Sequence, residues 1–385
     1  MNFLPNLIFA IILLVGIGYF ARNIRKLKRN IYLGKDANIS GDSKTRWKNM
    51  ARIALGQSKM VRRPISGILH IIVYVGFVII NIEVIEIIID GLFGTHRILS
   101  GIGSLYGVLI GTFEILAALV FIAVVIFWIR RNVIKIKRFL SSEMKGWPKL
   151  DGNLILYFEI VLMGLFILMN ATDVEFQSMN SGNLISQFFA PLFEGYNVHL
   201  IERVAWWAHI IGILIFLNYL YYSKHLHILL AFPNTYFGNI NPKGQFNNLK
   251  AVTNEVKLMM DPNVDPFAAP ADDNSVPDKF GASDVQDLNK IQLLNAYSCT
   301  ECGRCTSECP ANQTGKKLSP RKIMMDTRDR LEQVGRNIDN NKGVFKDDGK
   351  QLLYDFISPE ELWACTSCNA CVEECPVNID PLSII

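Results

Sequence analysis

Five long apolar stretches dominate the first 222 residues of the chain. They lie at about residues 3–21, 64–92, 105–129, 154–170 and 198–222. A helix that crosses the hydrocarbon core of a bilayer needs about 20 apolar residues, and it satisfies its own backbone hydrogen bonds there. The first stretch lacks a basic region before it and a small-residue cleavage site, so we expect a retained helix and not a signal peptide. The sequence therefore predicts a bundle of five transmembrane helices.

Basic residues are concentrated in two of the connecting segments. Lysines and arginines crowd residues 22–63 and 130–149, whereas the loop after the second stretch has only Arg97 and residues 171–197 have none. Cytoplasmic loops carry the excess of Lys and Arg. The expected protein is a multi-pass protein of the cell inner (cytoplasmic) membrane, in contact with lipid, with its N-terminus outside and its C-terminal part in the cytoplasm. The charge pattern reports topology and indicates no nucleic-acid partner.

All eight cysteines follow residue 298, and they form two runs with the same spacing. Each run has three cysteines separated by two residues, then, after three intervening residues, a fourth cysteine followed by proline. In ferredoxins with two clusters, three thiolates of such a run bind one [4Fe-4S] cluster and the fourth binds the other. The predicted ligands of cluster 1 are Cys299, Cys302, Cys305 and Cys375, and those of cluster 2 are Cys365, Cys368, Cys371 and Cys309.

Structural zinc is the competing interpretation of these cysteines, because zinc also binds paired Cys-x-x-Cys motifs. A zinc ion needs four ligands and neither a third closely spaced cysteine nor a following proline. The form of the runs therefore favours iron–sulfur clusters. Their clustering near one end of the chain also argues for metal ligation against disulfides.

The composition changes after the last apolar stretch. Residues 231–282 are rich in Pro, Asn, Asp and Gly, which predicts an extended connector. An amphipathic segment at residues 283–296 leads into the first cysteine, and helix-start signals stand at Ser319 and Ser358 between the two runs. We therefore predict an all-α protein: a membrane domain at 1–230, a connector at 231–282 and a helical ferredoxin domain with two clusters at 283–385.

Three histidines near the predicted cytoplasmic side are candidate haem ligands. His70 lies about two turns into the second apolar stretch, and His225 and His227 follow the fifth. A haem b iron needs two axial imidazoles at one depth from different helices, and His70 with His227 or His225 meets this requirement. The alternative is that they are interfacial histidines stabilised by lipid headgroups. Ionisable groups within membranes are usually functional, which favours haem for the pair His70 and His227.

Another group of titratable residues lies toward the opposite face. His209 precedes His227 by 18 residues, roughly 27 Å along one continuous helix, and Glu83 and Glu86 are expected at a similar height, with Glu114 in the third stretch. One interpretation is a proton-exchanging site for a quinone, with Glu83, Glu86 and His209 as the candidate catalytic residues. The alternative is that the glutamates are neutral and form hydrogen bonds between helices.

Two phrases in the cysteine runs carry a family resemblance. Tyr-Ser-Cys-Thr-Glu-Cys-Gly-Arg-Cys, at 297–305, and Leu-Trp-Ala-Cys-Thr-Ser-Cys, at 362–368, resemble the helical di-cluster domain in the iron–sulfur subunit of heterodisulfide reductase. The membrane half resembles the cytochrome b subunit of respiratory nitrate reductase (its gamma chain) and the membrane subunit of heterodisulfide reductase.

The resemblance implies haem ligands on the second and fifth membrane helices. In those cytochromes, two histidines on the second helix and two on the fifth hold two haems. Here His209 and His227 reproduce the fifth-helix pair, but the second helix has only His70, and position 80 is isoleucine. The resemblance therefore supports one haem, held by His70 and His227, and leaves the second haem without a full ligand set.

The expected function is a membrane-bound electron-transfer subunit of a respiratory oxidoreductase. Electrons pass between a cytoplasmic donor, two [4Fe-4S] clusters, haem b and a quinone, with menaquinone the expected type. The partner is expected to be a cytoplasmic redox subunit: a cysteine-rich reductase subunit, a flavoprotein or a dehydrogenase. Two alternatives stay open, a haem-free membrane ferredoxin that relays electrons to a metal or another membrane protein, and a non-catalytic scaffold with structural clusters.

Overall fold

The computed structural model describes residues 3–37, 39, 41–242, 244–245, 248–263 and 279–385. Within these residues the regular structure is helical, and two isolated β-bridges occur without any strand. The predicted all-α class is therefore confirmed. The described residues divide into a first compact unit, within residues 1–27, 55–228 and 300–302, and a second, within residues 28–54, 229–299 and 303–385. The domain limits drawn from sequence stay a prediction.

The first unit holds the five helices that are long and apolar enough to cross a membrane. They are called membrane helices 1 to 5 below. Basic residues after residue 21 extend helix 1 well past its apolar stretch, because lysine and arginine are good helix formers. The helices span Leu4–Ile31, Pro64–Phe93, Ser104–Asn132, Trp147–Thr172 and Val198–Tyr219, the last continued by a short 3₁₀ turn at Leu220–Tyr222.

Close packing of these helices depends on small residues at particular points. A Cβ atom on Gly91 would lie 2.6 Å from the ring of Phe9, and one on Gly76 would lie 2.4 Å from the side chain of Val120. Helix 2 therefore approaches helices 1 and 3 only because these positions are glycine, as is common where membrane helices pack. Phe113 and Phe166 are fully buried in the core between the helices.

The chain breaks after membrane helix 5, which differs from the expectation of one helix from His209 to His227. Ser223 has an extended backbone, a short 3₁₀ turn follows at Lys224–Leu226, and a new helix begins at His227 and ends at Phe237. The carboxylate of Asp151 causes the break, because it accepts hydrogen bonds from the backbone N–H of Lys224 and from the hydroxyl of Tyr219. The distance of about 27 Å, which assumed an unbroken helix, therefore does not apply.

The second unit is built around the helix Pro320–Asn340. Ser319 caps this helix by accepting a hydrogen bond from the N–H of Lys322, and Ser358 forms a capping box with Glu361 at the helix Pro359–Trp363. Both helix-start predictions are thus confirmed. Of the amphipathic segment at 283–296, only the last part is α-helical, in the helix Lys290–Tyr297, because Asn289 caps that helix through its own capping box.

A buried arginine fixes the segments that precede the two cysteine runs. Arg330, on the helix Pro320–Asn340, is fully buried and forms ion pairs of 2.7 Å with both Asp284 and Asp348. Asp284 precedes the first run in sequence, and Asp348 precedes the second. Removing Arg330 would leave the carboxylates of Asp284 and Asp348 without this buried counter-charge, which costs about 3–5 kcal/mol.

The predicted connector at 231–282 is partly helical in the described residues. It contains most of the helix His227–Phe237 and the helix Lys250–Met260. The buried side chain of Asn234 donates a hydrogen bond of 2.8 Å to the carbonyl of Val377, which attaches the first of these helices to the rest of the second unit. Residues 264–278, which include much of the Pro- and Asp-rich sequence, lie outside the described residues.

Candidate redox centres

Four cysteines surround a cavity in the second unit. The cavity has about 300 Å³ of space not filled by atoms, counting its open mouth. Leu318, Pro320, Leu382 and Ile385 contribute to its walls. The cysteines that line it are Cys309 from the first run and Cys365, Cys368 and Cys371 from the second. The structure therefore brings together the four residues that the sequence predicts as ligands of cluster 2, including the one that crosses from the other run.

Two of the predicted ligands of cluster 1, one from each cysteine run, also share one environment. Cys299 and Cys375 are both buried, and they belong to one apolar cluster with Met324, Val377 and Ile379. Cys302 and Cys305 are partly exposed. The first cysteine of the first run and the last cysteine of the second run thus share one environment, in keeping with the predicted ligand set of cluster 1.

The two runs have the same backbone conformation where their loops turn. Glu301 and Gly303 have φ values of 53° and 72°, and the equivalent Ser367 and Asn369 have values of 55° and 60°. Successive residues with alternating left- and right-handed backbone orient N–H groups toward one concave side, which suits an anionic group. The N–H of Ser367 donates to Cys365 Sγ at 3.3 Å. Hydrogen bonds to cluster sulfurs are among the factors that set reduction potentials.

The buried cysteine thiols of this cavity suit the binding of a cationic group. Burial raises the pKa of the Cys371 thiol to about 12, so its thiolate form requires a bound cation to balance the charge. Within the described part of the chain, no group of three His, Cys, Asp or Glu side chains is close enough to hold one metal ion. The four cysteines that line the cavity are the set that the spacing of the runs predicts for one [4Fe-4S] cluster.

Two of the candidate haem histidines face each other in the first unit. The ring centroids of His70, on membrane helix 2, and His227 are 6.4 Å apart. Metal–imidazole bonds of about 2 Å on both sides of an iron, plus the half-widths of two rings, give a centroid separation of about 6 Å. His227 Nδ1 donates to the carbonyl of Lys224 at 3.1 Å, which leaves Nε2 to act as a ligand. The residues present therefore fit bis-histidine ligation.

His225 has different neighbours from His227. Its ring centroid lies 5.4 Å from that of His227 and 5.4 Å from that of Phe216, and its Nε2 is 4.0 Å from the Glu159 carboxylate. Burial lowers the pKa values of both His225 and His227, so both imidazoles are neutral, as ligation requires. Of the two alternatives left by the sequence, the ring geometry favours His227 as the partner of His70.

The predicted proton-exchange residues are all buried in the first unit. Glu86 accepts hydrogen bonds from the N–H of Leu99 at 2.9 Å and the hydroxyl of Tyr106 at 3.3 Å. Glu83 is 2% exposed, and its Oε2 has no hydrogen-bond partner among the described residues. A buried carboxyl oxygen without a partner is costly in a structural role, so Glu83 is the stronger candidate for a functional carboxyl.

His209 contacts other residues than Glu83 and Glu86. Its ring centroid is 6.2 Å from that of Phe166. No hydrogen bond or ion pair between described residues joins it to Glu83 or Glu86. Ile80, at the position where the resembling cytochromes have a histidine, is buried in the apolar core.

Sequence reasoning missed an arginine at the centre of a buried polar network. In the sequence, Arg97 entered the argument only as the single basic residue of its loop. In the structure its side chain is buried, with 7% of its surface exposed. It donates to Asp173 at 2.8 Å, to Asn170 at 2.8 Å and to the hydroxyl of Tyr106 at 3.2 Å. Burial opposes ionisation of Asp173, but the hydrogen bond from His96 and the charge of Arg97 outweigh it and lower its pKa well below the usual range.

The network continues to a third buried glutamate. Asn170 donates to Glu114 Oε1 at 3.0 Å, and the N–H groups of Ile185 and Ser186 donate to Glu114 Oε2 at 2.7 and 3.1 Å. Both carboxylate oxygens of Glu114 are thus satisfied by hydrogen bonds. The only signal in the sequence was a set of polar residues placed next to apolar stretches.

The dicluster domain is also identified by its similarity to known proteins. Residues 298–379 match the family described as the 4Fe-4S dicluster domain. Together with the five helices that are long and apolar enough to cross a membrane, this match indicates an iron–sulfur protein that also carries a helical, apolar part. The resemblance of the cysteine runs to the iron–sulfur subunit of heterodisulfide reductase is confirmed, and the cytochrome b resemblance stays a prediction.

Three curated relatives show how far the similarity extends. The probable iron-sulfur-binding oxidoreductase FadF of Bacillus subtilis is 28% identical over 96% of this chain and 53% of its own length. The EtfAB:quinone oxidoreductase of Syntrophomonas wolfei is 23% identical over 85% of this chain and 46% of its own length. An iron-sulfur subunit of the CoB–CoM heterodisulfide reductase of Methanopyrus kandleri is 31% identical over 22% of this chain and 33% of its own length.

The chain spans about half the length of the first two of these relatives. No solved structure matches it.

Proposed function

We propose that this protein carries electrons between a cytoplasmic redox subunit and a membrane quinone, through two [4Fe-4S] clusters and one haem b. Cluster 1 is held by Cys299, Cys302, Cys305 and Cys375, and cluster 2 by Cys365, Cys368, Cys371 and Cys309. The haem is held by His70 and His227. When bound there, it supplies a one-electron site within the membrane unit.

One observation carries the haem-linked form of this proposal. It is the pairing of His70 with His227 at a ring separation of 6.4 Å, which suits an iron held between two imidazoles. The hydrogen bond from His227 Nδ1 to the carbonyl of Lys224 sets the tautomer that ligation needs. An interfacial histidine stabilised by headgroups requires neither feature.

Two arguments support a quinone as the redox partner in the membrane. The first is the buried Glu83, whose Oε2 has no hydrogen-bond partner among the described residues and which is suited to exchange a proton with a quinone that takes up or releases protons on redox change. The second is the similarity to the Syntrophomonas relative, the EtfAB:quinone oxidoreductase. A flavoprotein is therefore the favoured class of donor, and the basic segments at 22–63 and 130–149 favour a cytoplasmic position for it.

The purified chain, with iron–sulfur clusters reconstituted under anaerobic conditions, provides the test. We expect a pyridine haemochrome of the b type with about one haem per chain, about eight iron atoms in the clusters, and reduction of the haem by a short-chain menaquinol. Absence of b-type haem with His70 and His227 intact would falsify the haem step. It would favour the haem-free membrane ferredoxin.

A redox titration separates both of these functions from the scaffold alternative. Clusters that change oxidation state when menaquinol or a reduced flavoprotein is added take part in electron transfer. Clusters that stay in one state with every donor would be structural, and the proposal would then be wrong.

A further inference from the structure

A buried lysine links the haem-ligand segment to the first cysteine run. The ammonium group of Lys224 contacts the carboxylate of Glu301, lies 3.6 Å from Asp151 Oδ2 and donates to the carbonyl of Pro148 at 2.7 Å. The side chains of Lys224 and Glu301 are 9% and 2% exposed. All four residues belong to the first unit, which includes residues 300–302.

Lys224 is fixed by its backbone as well as by its side chain. Its N–H donates to Asp151 at 3.1 Å, and its carbonyl accepts the hydrogen bond from His227 Nδ1 at 3.1 Å. The same residue therefore orients the imidazole of His227 and holds the Glu301 carboxylate. A displacement of the lysine side chain changes its contact with Glu301 but leaves the hydrogen bond between its carbonyl and His227 in place.

Glu301 distinguishes the first cysteine run from the second. It stands directly before Cys302, with φ of 53°, and the equivalent residue before Cys368 is Ser367, with φ of 55°. The two loops thus have the same conformation, but only the loop of the first run carries a carboxylate. That carboxylate is buried against the lysine next to His225.

We propose that the ion pair of Lys224 and Glu301 positions the loop of the first cysteine run at the haem-ligand segment, so that cluster 1 and not cluster 2 exchanges electrons with the haem. This inference rests on the proposed function. In the step itself one electron leaves the reduced cluster 1, which is oxidised, and the ferric haem is reduced to the ferrous state. No bond forms or breaks, and cluster 2 resupplies the electron from the cytoplasmic donor.

Charge and burial make this pair a sensitive positioning element. Removing Lys224 takes away the buried counter-charge of the Glu301 carboxylate, which is 2% exposed, and the loop relieves this cost by moving. Small displacements of reacting centres have large effects on rates. Lys224 and Glu301 are positioning residues here, since neither is proposed as a ligand of a cluster or of the haem.

The test uses the full chain carrying both clusters and the haem, with reduced methyl viologen as the electron donor. Freeze-quenched samples report cluster reduction by electron paramagnetic resonance, and absorbance reports haem reduction. For Lys224→Met we expect haem reduction slower by about tenfold or more, with unchanged cluster reduction and unchanged iron and haem contents. Lys224→Arg, which keeps the ion pair, restores the rate.

A matched control comes from the second cysteine run. Lys322 Nζ lies 2.9 Å from Glu361 Oε1, in a capped helix that leads into Cys365. Lys322→Met removes a similar partly buried ion pair near cluster 2, and we expect no change in the rate of haem reduction. An equal slowing in this variant would assign the effect to general loosening and overturn the inference.

A second pair of variants decides the question if Lys224→Met loses its haem. Cys302→Ala removes a ligand of cluster 1, and Cys365→Ala removes a ligand of cluster 2. With methyl viologen, which reaches either cluster, we expect the haem to be reduced slowly in Cys302→Ala and at the normal rate in Cys365→Ala. The reverse order overturns the inference and leaves the proposed function intact, whereas absence of haem from the unmodified chain overturns the proposed function itself.

Discussion

His70 and His227 approach each other with ring centroids 6.4 Å apart and an interplanar angle of 39°. One ring belongs to membrane helix 2, and the other begins a helix that follows the break at Ser223. The break turns the chain so that His227 can face His70. If membrane helix 5 had continued regularly to His227, the helical repeat alone would have set the direction of the His227 side chain.

The first prediction concerns the choice between His227 and His225. We expect His227→Ala and His70→Ala each to abolish bound haem b, because each removes one of two axial imidazoles. His225→Ala keeps most of the haem, since that ring faces Phe216 and Glu159. Pyridine haemochrome analysis at equal protein concentration measures the outcome. Retention of haem by His227→Ala together with its loss in His225→Ala would exchange the two assignments.

The second prediction tests the crossed cysteine ligands by non-additivity. Cys309→Ala and Cys365→Ala are each expected to remove one cluster, leaving about four of eight irons. The double variant Cys309→Ala/Cys365→Ala is expected to keep the same four, because both cysteines line one cavity. The double variant Cys302→Ala/Cys365→Ala should lose nearly all iron. Iron analysis of anaerobic protein decides, and near-complete loss in the first double variant would contradict the crossing.

Local signals made much of this structure predictable. The capping residues Ser319 and Ser358 act within one turn of their helices, so a few neighbouring letters suffice to find them. The cysteine runs can also be found from local sequence, because their spacing fixes how a short loop wraps a cluster. Long apolar stretches identify membrane helices for the same reason, since each must satisfy its own backbone in lipid.

Features that depend on distant partners were not predictable. The break at Ser223 follows from Asp151, which lies on another membrane helix and takes the hydrogen bond of the Lys224 N–H. Arg97 is buried because Asp173 and Asn170 approach it from a segment more than 70 residues away in sequence. No property of the local sequence distinguishes it from an exposed loop arginine. Tertiary contacts of this kind override local propensity.

The third prediction concerns the buried ion pair of Arg97 and Asp173. Arg97→Leu leaves the Asp173 carboxylate without its 2.8 Å partner, and we expect a loss of about 3–5 kcal/mol in the free energy of unfolding. The double variant Arg97→Leu/Asp173→Leu, which removes both charges, is expected to be more stable than Arg97→Leu alone. Thermal unfolding in detergent compares them. Equal stability of both variants would show that the remaining charge is not the source of the loss.

The fourth prediction concerns pH. A hydrogen bond to Asp173 raises the pKa of His96, and Glu175 also lies 3.3 Å from the ring. A group whose pKa is higher in the folded state stabilises it fully below the unfolded pKa, about 6.5, and loses this effect as the pH rises through the folded value. We therefore expect the melting temperature of the wild type to exceed that of His96→Gln by more at pH 6 than at pH 9. Arg97 keeps Asp173 ionised throughout this range, so a constant difference would exclude protonation of His96 as the cause.

The fifth prediction concerns Glu83 and the quinone. Glu83→Gln keeps the shape of the side chain and removes its ability to exchange a proton, so electron transfer between menaquinol and the haem is expected to slow by about 10²-fold or more. Reduction of the clusters by methyl viologen should not change, because it needs no proton at this site. Asn81→Ala is the matched control: its amide donates to the carbonyl of Phe77 on the exposed face of the same helix, and the variant should behave as the wild type. If Glu83→Gln oxidises menaquinol at the normal rate, the Glu83 carboxyl has no part in proton transfer with the quinone.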